Sequence, residues 1–235
     1  TMFSKSKGNG VDPLEIIEQG YGADALRLYL MFAAPLEVWA KWDPQGVPGT
    51  FRFLTRLWNL VQEYVEAEDQ RPEVEDKELL RVTHKMIKKM TEDIEENRYN
   101  TAIATAMGAL NDFYKLKGSL AKNDVWQQAL ERLVACVAPF APHIADELWN
   151  QLGHSSSVHV DTWPKWDNTY LQSDTMKIVI QVNGKVRATV EVASEASKEE
   201  VLNQARTAEK VVAYIEGKSV QKEIYVPGKL VNFVV

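Results

Sequence analysis

The sequence predicts a multidomain chain, a mainly α-helical bundle followed by a small α+β domain. Three observations carry that reading. Between residues 49 and 152 apolar side chains recur at spacings of three and four in segment after segment, with short connections between them. After residue 153 the pattern changes to β-branched runs, 176–182 and 186–192, divided by Asn183-Gly184, the strongest short hairpin signal. Proline marks the joints, as at Pro139, Pro142 and Pro227-Gly228.

The elements follow in order. Residues 1–11 read as a Gly/Ser/Lys loop. Asp12-Pro13-Leu14-Glu15 is a helix start: Asp12 can cap free N–H groups, Pro13 suits the first helical position, and Glu15 falls at the capping-box position. That short helix should end near Gly20–Gly22. Asp24 is expected to cap a second helix, apolar on most sides through Leu26, Leu28, Tyr29, Leu30, Met31 and Phe32, and therefore buried. Pro35 to Pro48 is a long connection carrying Trp39 and Trp42.

The bundle helices come next. Residues 49–67 put Phe51, Leu54, Leu57, Trp58 and Val61 on one face. After an acidic loop at 68–76, residues 77–97 repeat the pattern with Leu80, Met86, Ile87, Met90 and Ile94. Residues 100–117 offer two adjacent stripes, Ile103, Ala104, Met107, Leu110 and Phe113, or Ala106, Leu110 and Phe113. Residues 124–138 give Val125, Ala129, Leu133 and Val137, with Leu130 beside them. Pro139 and Pro142 break that helix, and another runs from about His143 to Leu152. The Ser-, Trp- and Pro-rich stretch 154–174 reads as a linker or a wrapping segment. Beyond the hairpin, 197–207 reads as a helix, and 220–226 and 230–235 as two more strands of a small α+β domain.

Composition narrows the class. The 235 residues are 45% hydrophobic and 26% charged, ordinary globular material. No apolar run approaches the roughly 20 residues of a membrane-spanning helix, so no membrane partner is expected. The N-terminus lacks the pattern of a secretory signal. Cys136 is the single cysteine, which excludes an intrachain disulfide and suits a cytoplasmic setting. One cysteine and four scattered histidines give no metal site at zinc-ligand spacing. The net charge of -6 excludes a uniformly basic nucleic-acid binder. The charge is uneven, however: residues 175–235 hold 9 Lys+Arg against 7 Asp+Glu, so the acid excess lies in the body of the chain.

The chemistry-bearing string is Ser4-Lys5-Ser6-Lys7-Gly8-Asn9. Alternating hydroxyls and ammonium groups before a glycine suit a loop that wraps a polyphosphate. A cation placed on a pyrophosphate leaving group lowers the barrier to attack on the α-phosphate. The alternative is a solvated basic tail. Three further stretches bear on the choice: Tyr21-Gly22-Ala23-Asp24-Ala25-Leu26-Arg27; the segment Ala138-Pro139-Phe140-Ala141-Pro142-His143 that continues to Trp149; and Val182-Asn183-Gly184-Lys185-Val186-Arg187 with Tyr225-Val226-Pro227-Gly228-Lys229-Leu230-Val231-Asn232. Together and in this order the four stretches resemble class I aminoacyl-tRNA synthetases. The stretch from Ala138 to Trp149 resembles the anticodon-binding bundle of the leucyl, isoleucyl and valyl subgroup, and Val182–Arg187 with Tyr225–Asn232 resembles the C-terminal domain of bacterial leucyl enzymes. The resemblance covers essentially the whole chain.

The resemblance implies a C-terminal part of a leucine-activating ligase. The intact enzyme would use ATP with Mg2+ to make leucyl-adenylate and pass the acyl group to tRNA(Leu). Lys5 would stabilise the first transition state, with Ser4, Ser6 and Lys7 as further ATP contacts. Residues 1–42 would end the catalytic domain, 43–152 would be the anticodon-binding-type bundle, 153–174 a linker and 175–235 the tRNA-binding module. The chain alone is expected to be inactive, to hold no cofactor stably and to be monomeric. The family's signature loop opens with lysine and methionine where this chain has Met2 and Phe3, leaving Lys5 and Lys7 as its cations.

For tRNA phosphates the candidates are Lys185 and Arg187, two apart beyond the hairpin tip and so expected on one face. Lys218, Lys222 and Lys229 join them, Lys222 with the alternative of only offsetting Glu223. Arg52 and Arg56, one helical turn apart, could line the tRNA side of the bundle or be ordinary surface charges. Lys85, Lys88 and Lys89 precede Glu92, Asp93, Glu95 and Glu96, which favours surface ion pairs. His143 lacks an evident catalytic partner and reads as structural or capping. Trp58, Trp126, Trp149, Trp163 and Trp166 read as packing residues, and Cys136 as a small buried side chain. An isoleucyl enzyme commonly ends in a cysteine zinc motif and a valyl one in a long coiled coil, and neither pattern is present. A non-catalytic tRNA-binding protein is the rival from another class. A nucleotidase is disfavoured because the loop lacks the GxxxxGK[ST] spacing.

Overall fold

The computed structural model describes residues 10–67, 76–171, 175–194, 196–217 and 219–235. They form two compact units, Thr1–Leu171 and Gln172–Val235, each with its own apolar core. The first is a helical bundle and the second a four-stranded sheet with two helices.

The first unit begins with α1 (Pro13–Ile16). Asp12 caps it through Oδ1, which accepts the Leu14 N–H at 2.9 Å. A π-helical turn, Ile17–Tyr21, follows, with Gly20 at φ 90° and Gly22 at φ 77°; a side chain would strain both positions. Helix α2 (Gly22–Phe32) starts two residues before Asp24. Asp24 therefore does not cap its own helix, contrary to the sequence expectation. It reaches the helix that starts at Pro142 instead.

Helix α3 runs from Gly46 to Glu66, three residues earlier than periodicity suggests. Gly46 is needed there because a Cβ would lie 2.1 Å from the Tyr29 ring. The Tyr29 hydroxyl accepts the Asp43 N–H at 2.8 Å, and the Thr50 hydroxyl donates to the Ala25 carbonyl at 2.8 Å. These contacts fix α2 against α3.

Helices α4 (Lys77–Glu95) and α5 (Tyr99–Leu116) form a hairpin whose turn holds Asn97 at φ 57°. Leu79, not Leu80, lies fully inside. On α5 the stripe Ala106, Leu110 and Phe113 is buried together with Ile103, whereas Ala104 is exposed. Asp93 is buried beneath the hairpin, paired with Lys89 and with Arg98 at 2.9 Å. Burial pushes its carboxyl pKa up, but hydrogen bonds from Lys89, Arg98 and Thr101 outweigh that and hold it below the usual value. Helices α6 (Asp124–Val137) and α7 (Pro142–Gln151) close the bundle, with Pro142 at the first position of α7. Trp126 and Phe113 meet edge to face at 6.0 Å in the core. Cys136 is buried there, and burial pushes its thiol up to about 12.

Residues 154–171 wrap the bundle. Asp146 accepts from the Ser157 hydroxyl at 2.6 Å and the Val158 N–H at 3.0 Å. The Trp163 indole donates to the Thr91 hydroxyl at 2.8 Å. Asp167 donates its N–H to His84 Nδ1 at 2.9 Å, and Tyr170 stacks on the same imidazole at 4.7 Å. Trp163 and Trp166 are thus packed against the helical core.

In the second unit the strands are β1 (Thr175–Val182), β2 (Lys185–Ala193), β3 (Lys222–Val226) and β4 (Leu230–Val234), in the order β2-β1-β4-β3. Two antiparallel hairpins join through a parallel β1–β4 pairing. Asn183 and Gly184, at φ 49° and 74°, make the first hairpin turn. Ser197 and Glu200 form a capping box at the start of α8 (Lys198–Thr207). A further helix, α9 (Glu209–Ile215), follows the extended residue Ala208 and was not evident from the sequence. Val201, Ala205 and Val211 from these helices bury one sheet face with Ile178, Ile180, Val231 and Phe233. Fully burying such a side chain contributes about 1.5–3 kcal/mol.

Candidate nucleic-acid interface

The sequence-derived cations fall into two groups, one in each unit. On α3, Arg52 is exposed, with no hydrogen-bonding or ionic partner among the described residues. Arg56 is held differently: its guanidinium donates to Asn111 Oδ1 at 2.7 Å and lies 4.5 Å from the centre of the Tyr114 ring. The Tyr114 hydroxyl in turn donates to the Arg56 carbonyl at 2.9 Å. Two arginines one turn apart thus present one free and one braced guanidinium.

In the second unit Lys185 is exposed at the start of β2, opposite Val182. Arg187 is half-buried. Its guanidinium lies 4.0 Å from the Tyr214 ring centre and donates to the Tyr214 hydroxyl at 3.3 Å. A register shift explains the contrast. Ile180 pairs with Ala188 but Gln181 with Val186, so Arg187 is the extra residue of a β-bulge and leaves the simple alternation. Lys222 and Lys229 are exposed on β3 and on the turn after it. Glu223 pairs with Arg206 through both carboxylate oxygens, at 2.9 and 2.7 Å, so its partner is not Lys222. Lys218 and the string Ser4, Lys5, Ser6 and Lys7 lie outside the described residues.

The α4 face is more basic than the run of acids after it implies. Lys89 pairs with Asp93, and Arg81 with Glu78, which lowers the Glu78 pKa. Lys85 and Lys88 have no such partner among the described residues. They line a groove of about 400 Å³ whose wall includes Gly108 and Ala109 of α5.

The sequence missed one polar constellation. Asp24, 8% exposed, accepts the Ile144 N–H with Oδ2 at 2.8 Å, and its Oδ1 lies 2.8 Å from His143 Nδ1. Ala141, the residue before α7, offers no side-chain cap, so Asp24 serves that helix N-terminus from 120 residues away. His143 thus has the carboxylate partner that its sequence neighbourhood did not reveal. The only signals were a helix-start aspartate and a Pro-His pair lacking a local cap. Beside this pair a cleft of about 510 Å³ opens between α2 and α3. Among the described residues no cluster of acidic, histidine or cysteine groups suits a metal, and no helix is long and apolar enough to cross a membrane.

The anticodon-binding domain of tRNA ligases matches residues 76–202. The chain belongs to this family. Residues 1–42 match the class I tRNA synthetases of the I, L, M and V group. The anticodon-binding match runs past Leu171 into the second unit, through both strands of the first hairpin.

Among curated relatives, the chain is similar to the leucine–tRNA ligase of Trichormus variabilis, 46% identical over 240 residues covering 99% of this chain and 27% of that protein. The Geobacter enzyme of the same name is 46% identical over 243 residues, covering 99% and 29%. The chain therefore spans under a third of the length of these relatives. A solved Agrobacterium radiobacter LeuRS, in ternary complex with tRNA and LeuAMS, superposes with a TM-score of 0.80 at 31% identity, covering 99% of this chain and 31% of that one.

Proposed function

We propose that the chain is the ATP-loop and tRNA-binding part of a leucine–tRNA ligase. The observation that carries this reading is the 46% identity to a leucine–tRNA ligase over 99% of the chain, in one collinear stretch. In the intact ligase, leucine carboxylate attacks the α-phosphate of ATP, supplied with Mg2+, and pyrophosphate leaves. The acyl group then passes to the terminal adenosine of tRNA(Leu). Lys5 takes the charge that builds on the leaving pyrophosphate, assisted by Ser4, Ser6 and Lys7. Residues 1–42 close the catalytic domain, 43–152 form the anticodon-binding-type bundle, 153–174 connect and 175–235 form the terminal tRNA-binding module.

The tRNA backbone is met by cations of both units, some unpaired and some held by neighbouring side chains. Arg52 on the bundle is exposed without a partner among the described residues, with Arg56 braced beside it. Lys185, Lys222 and Lys229 are exposed on the second unit; Lys218, outside the described residues, is proposed from its place in the sequence alone. Arg187 contributes as a positioned guanidinium held by Tyr214. Such contacts fix register on the RNA without reading its sequence.

The experiment is leucine-dependent pyrophosphate exchange and aminoacylation by the intact ligase carrying this chain, beside the chain alone. Charging of tRNA(Leu) by the intact ligase and none by the chain is expected. Exchange with another amino acid in preference to leucine would sink the reading.

A further inference from the structure

We propose that the cleft between α2 and α3, at the N-terminus of α7, seats a single unstacked ribonucleotide of the bound RNA. This rests on the reading that the chain binds tRNA, and adds to it a site at which one nucleotide is taken out of the stack. The cleft has a volume of about 510 Å³, that of a small-ligand site, and is open to solvent on one side. Its walls are apolar and aromatic. Tyr21 and Phe51 meet edge to face at 5.6 Å, and Leu54 and Trp58 continue the α3 wall. A ring-lined slot of this kind accepts the face of any base, because every base has a π-face.

The polar end of the cleft specifies the sugar. His143 lines it with its side chain 76% exposed, and its Nδ1 is 2.8 Å from Asp24 Oδ1. An ionised carboxylate only accepts hydrogen bonds, so Nδ1 carries the proton. In the neutral form of the ring Nε2 is then the acceptor, the tautomer being set by Asp24. Asp24 is itself fixed by the Ile144 N–H. A ribose 2′-hydroxyl is the donor that such an acceptor recognises and that DNA lacks. Cations flank the cleft. Arg52 shares a helical face with Thr55, and Arg27 with Ala23, and both Thr55 and Ala23 line the cleft. Both arginines are exposed, without partners among the described residues, and can take the flanking phosphates.

The test uses the full chain, with ribonucleoside 5′-monophosphates and their 2′-deoxy counterparts as probes. Binding is read from the Trp58 indole resonance, assigned with a Trp58→Phe variant. A saturable shift is expected, with the deoxy probes about fivefold weaker, the loss that one hydrogen bond implies. His143→Ala should bring ribo and deoxy affinities together. The ribo–deoxy comparison on the unaltered chain needs no variant to fold. A silent Trp58 with every mononucleotide and with a tRNA transcript would overturn the site, as would equal ribo and deoxy affinities. Filter binding of tRNA to the same chain separates the two claims. Binding with Trp58 silent removes the cleft alone, whereas no tRNA binding at all removes the functional reading beneath it.

Discussion

Asp24 offers the most direct measure of how the bundle is held together. Its carboxylate is almost fully buried and makes two bonds of 2.8 Å, to the Ile144 N–H and to His143. Asp24→Ala leaves Ile144 N–H, in the first turn of α7, without its acceptor, and Ala141 cannot replace it. Loss of a helix cap costs about 1 kcal/mol, and a buried donor left unsatisfied about 1–3 kcal/mol. These overlap, and the His143 bond is largely solvated, so the expected loss is about 2–3 kcal/mol. Asp24→Asn keeps the shape. Its Oδ1 can still take the Ile144 N–H, and its amide can donate to His143 if the imidazole changes tautomer, so its expected loss is about 1 kcal/mol. All seven tryptophans precede residue 167, so intrinsic fluorescence during urea unfolding reports the first unit alone. An Asp24→Ala variant as stable as the parent, or an Asn variant as damaged as the Ala one, would refute this account of the cap.

Three further outcomes are expected. Burial first, and the Arg132 guanidinium second, lower the His84 pKa from 6.5, and both ring nitrogens face donors, from Asp167 N–H and Arg132. The folded state then binds fewer protons than the unfolded one below pH 6.5, so stability is full above that value and falls as pH drops through the window down to the lowered pKa; His84→Phe should flatten urea midpoints across it. Lys185→Ala should reduce the salt slope of tRNA binding by about one without changing the melting of the second unit, whereas Arg187→Ala, which loses the Tyr214 contact, should lower both, the stability by about 1 kcal/mol. Cys136, with its thiol pushed up to about 12, should react with a disulfide reagent at mildly alkaline pH only once the bundle unfolds, and prompt reaction of the native chain would contradict its burial.

What the sequence made legible is what short-range physics encodes. Most buried positions of α3 to α6 follow from three- and four-residue spacing, because one turn of helix decides which side chains share a side, although Phe51 of the expected α3 face is exposed and Leu79 takes the place of Leu80. The Asn183-Gly184 hairpin follows from two residues that tolerate positive φ. Where two stripes competed on α5, packing against α4 and α6 chose Ala106 over Ala104, a choice no local count contains. At the candidate sites the same limit is sharper. Two-residue alternation put Lys185 and Arg187 on one face, but a bulge at Arg187 breaks the alternation and lays that guanidinium on a helix the pattern did not show. Asp24 followed the right chemistry to the wrong helix: an aspartate near a helix start does cap a helix N-terminus, but the free N–H groups it meets belong to α7. Capping chemistry is written in residue type, whereas the identity of the capped helix is a property of the assembled bundle. The cleft and its oriented histidine therefore exist only once residues 21–24, 51–58 and 143–144 have met.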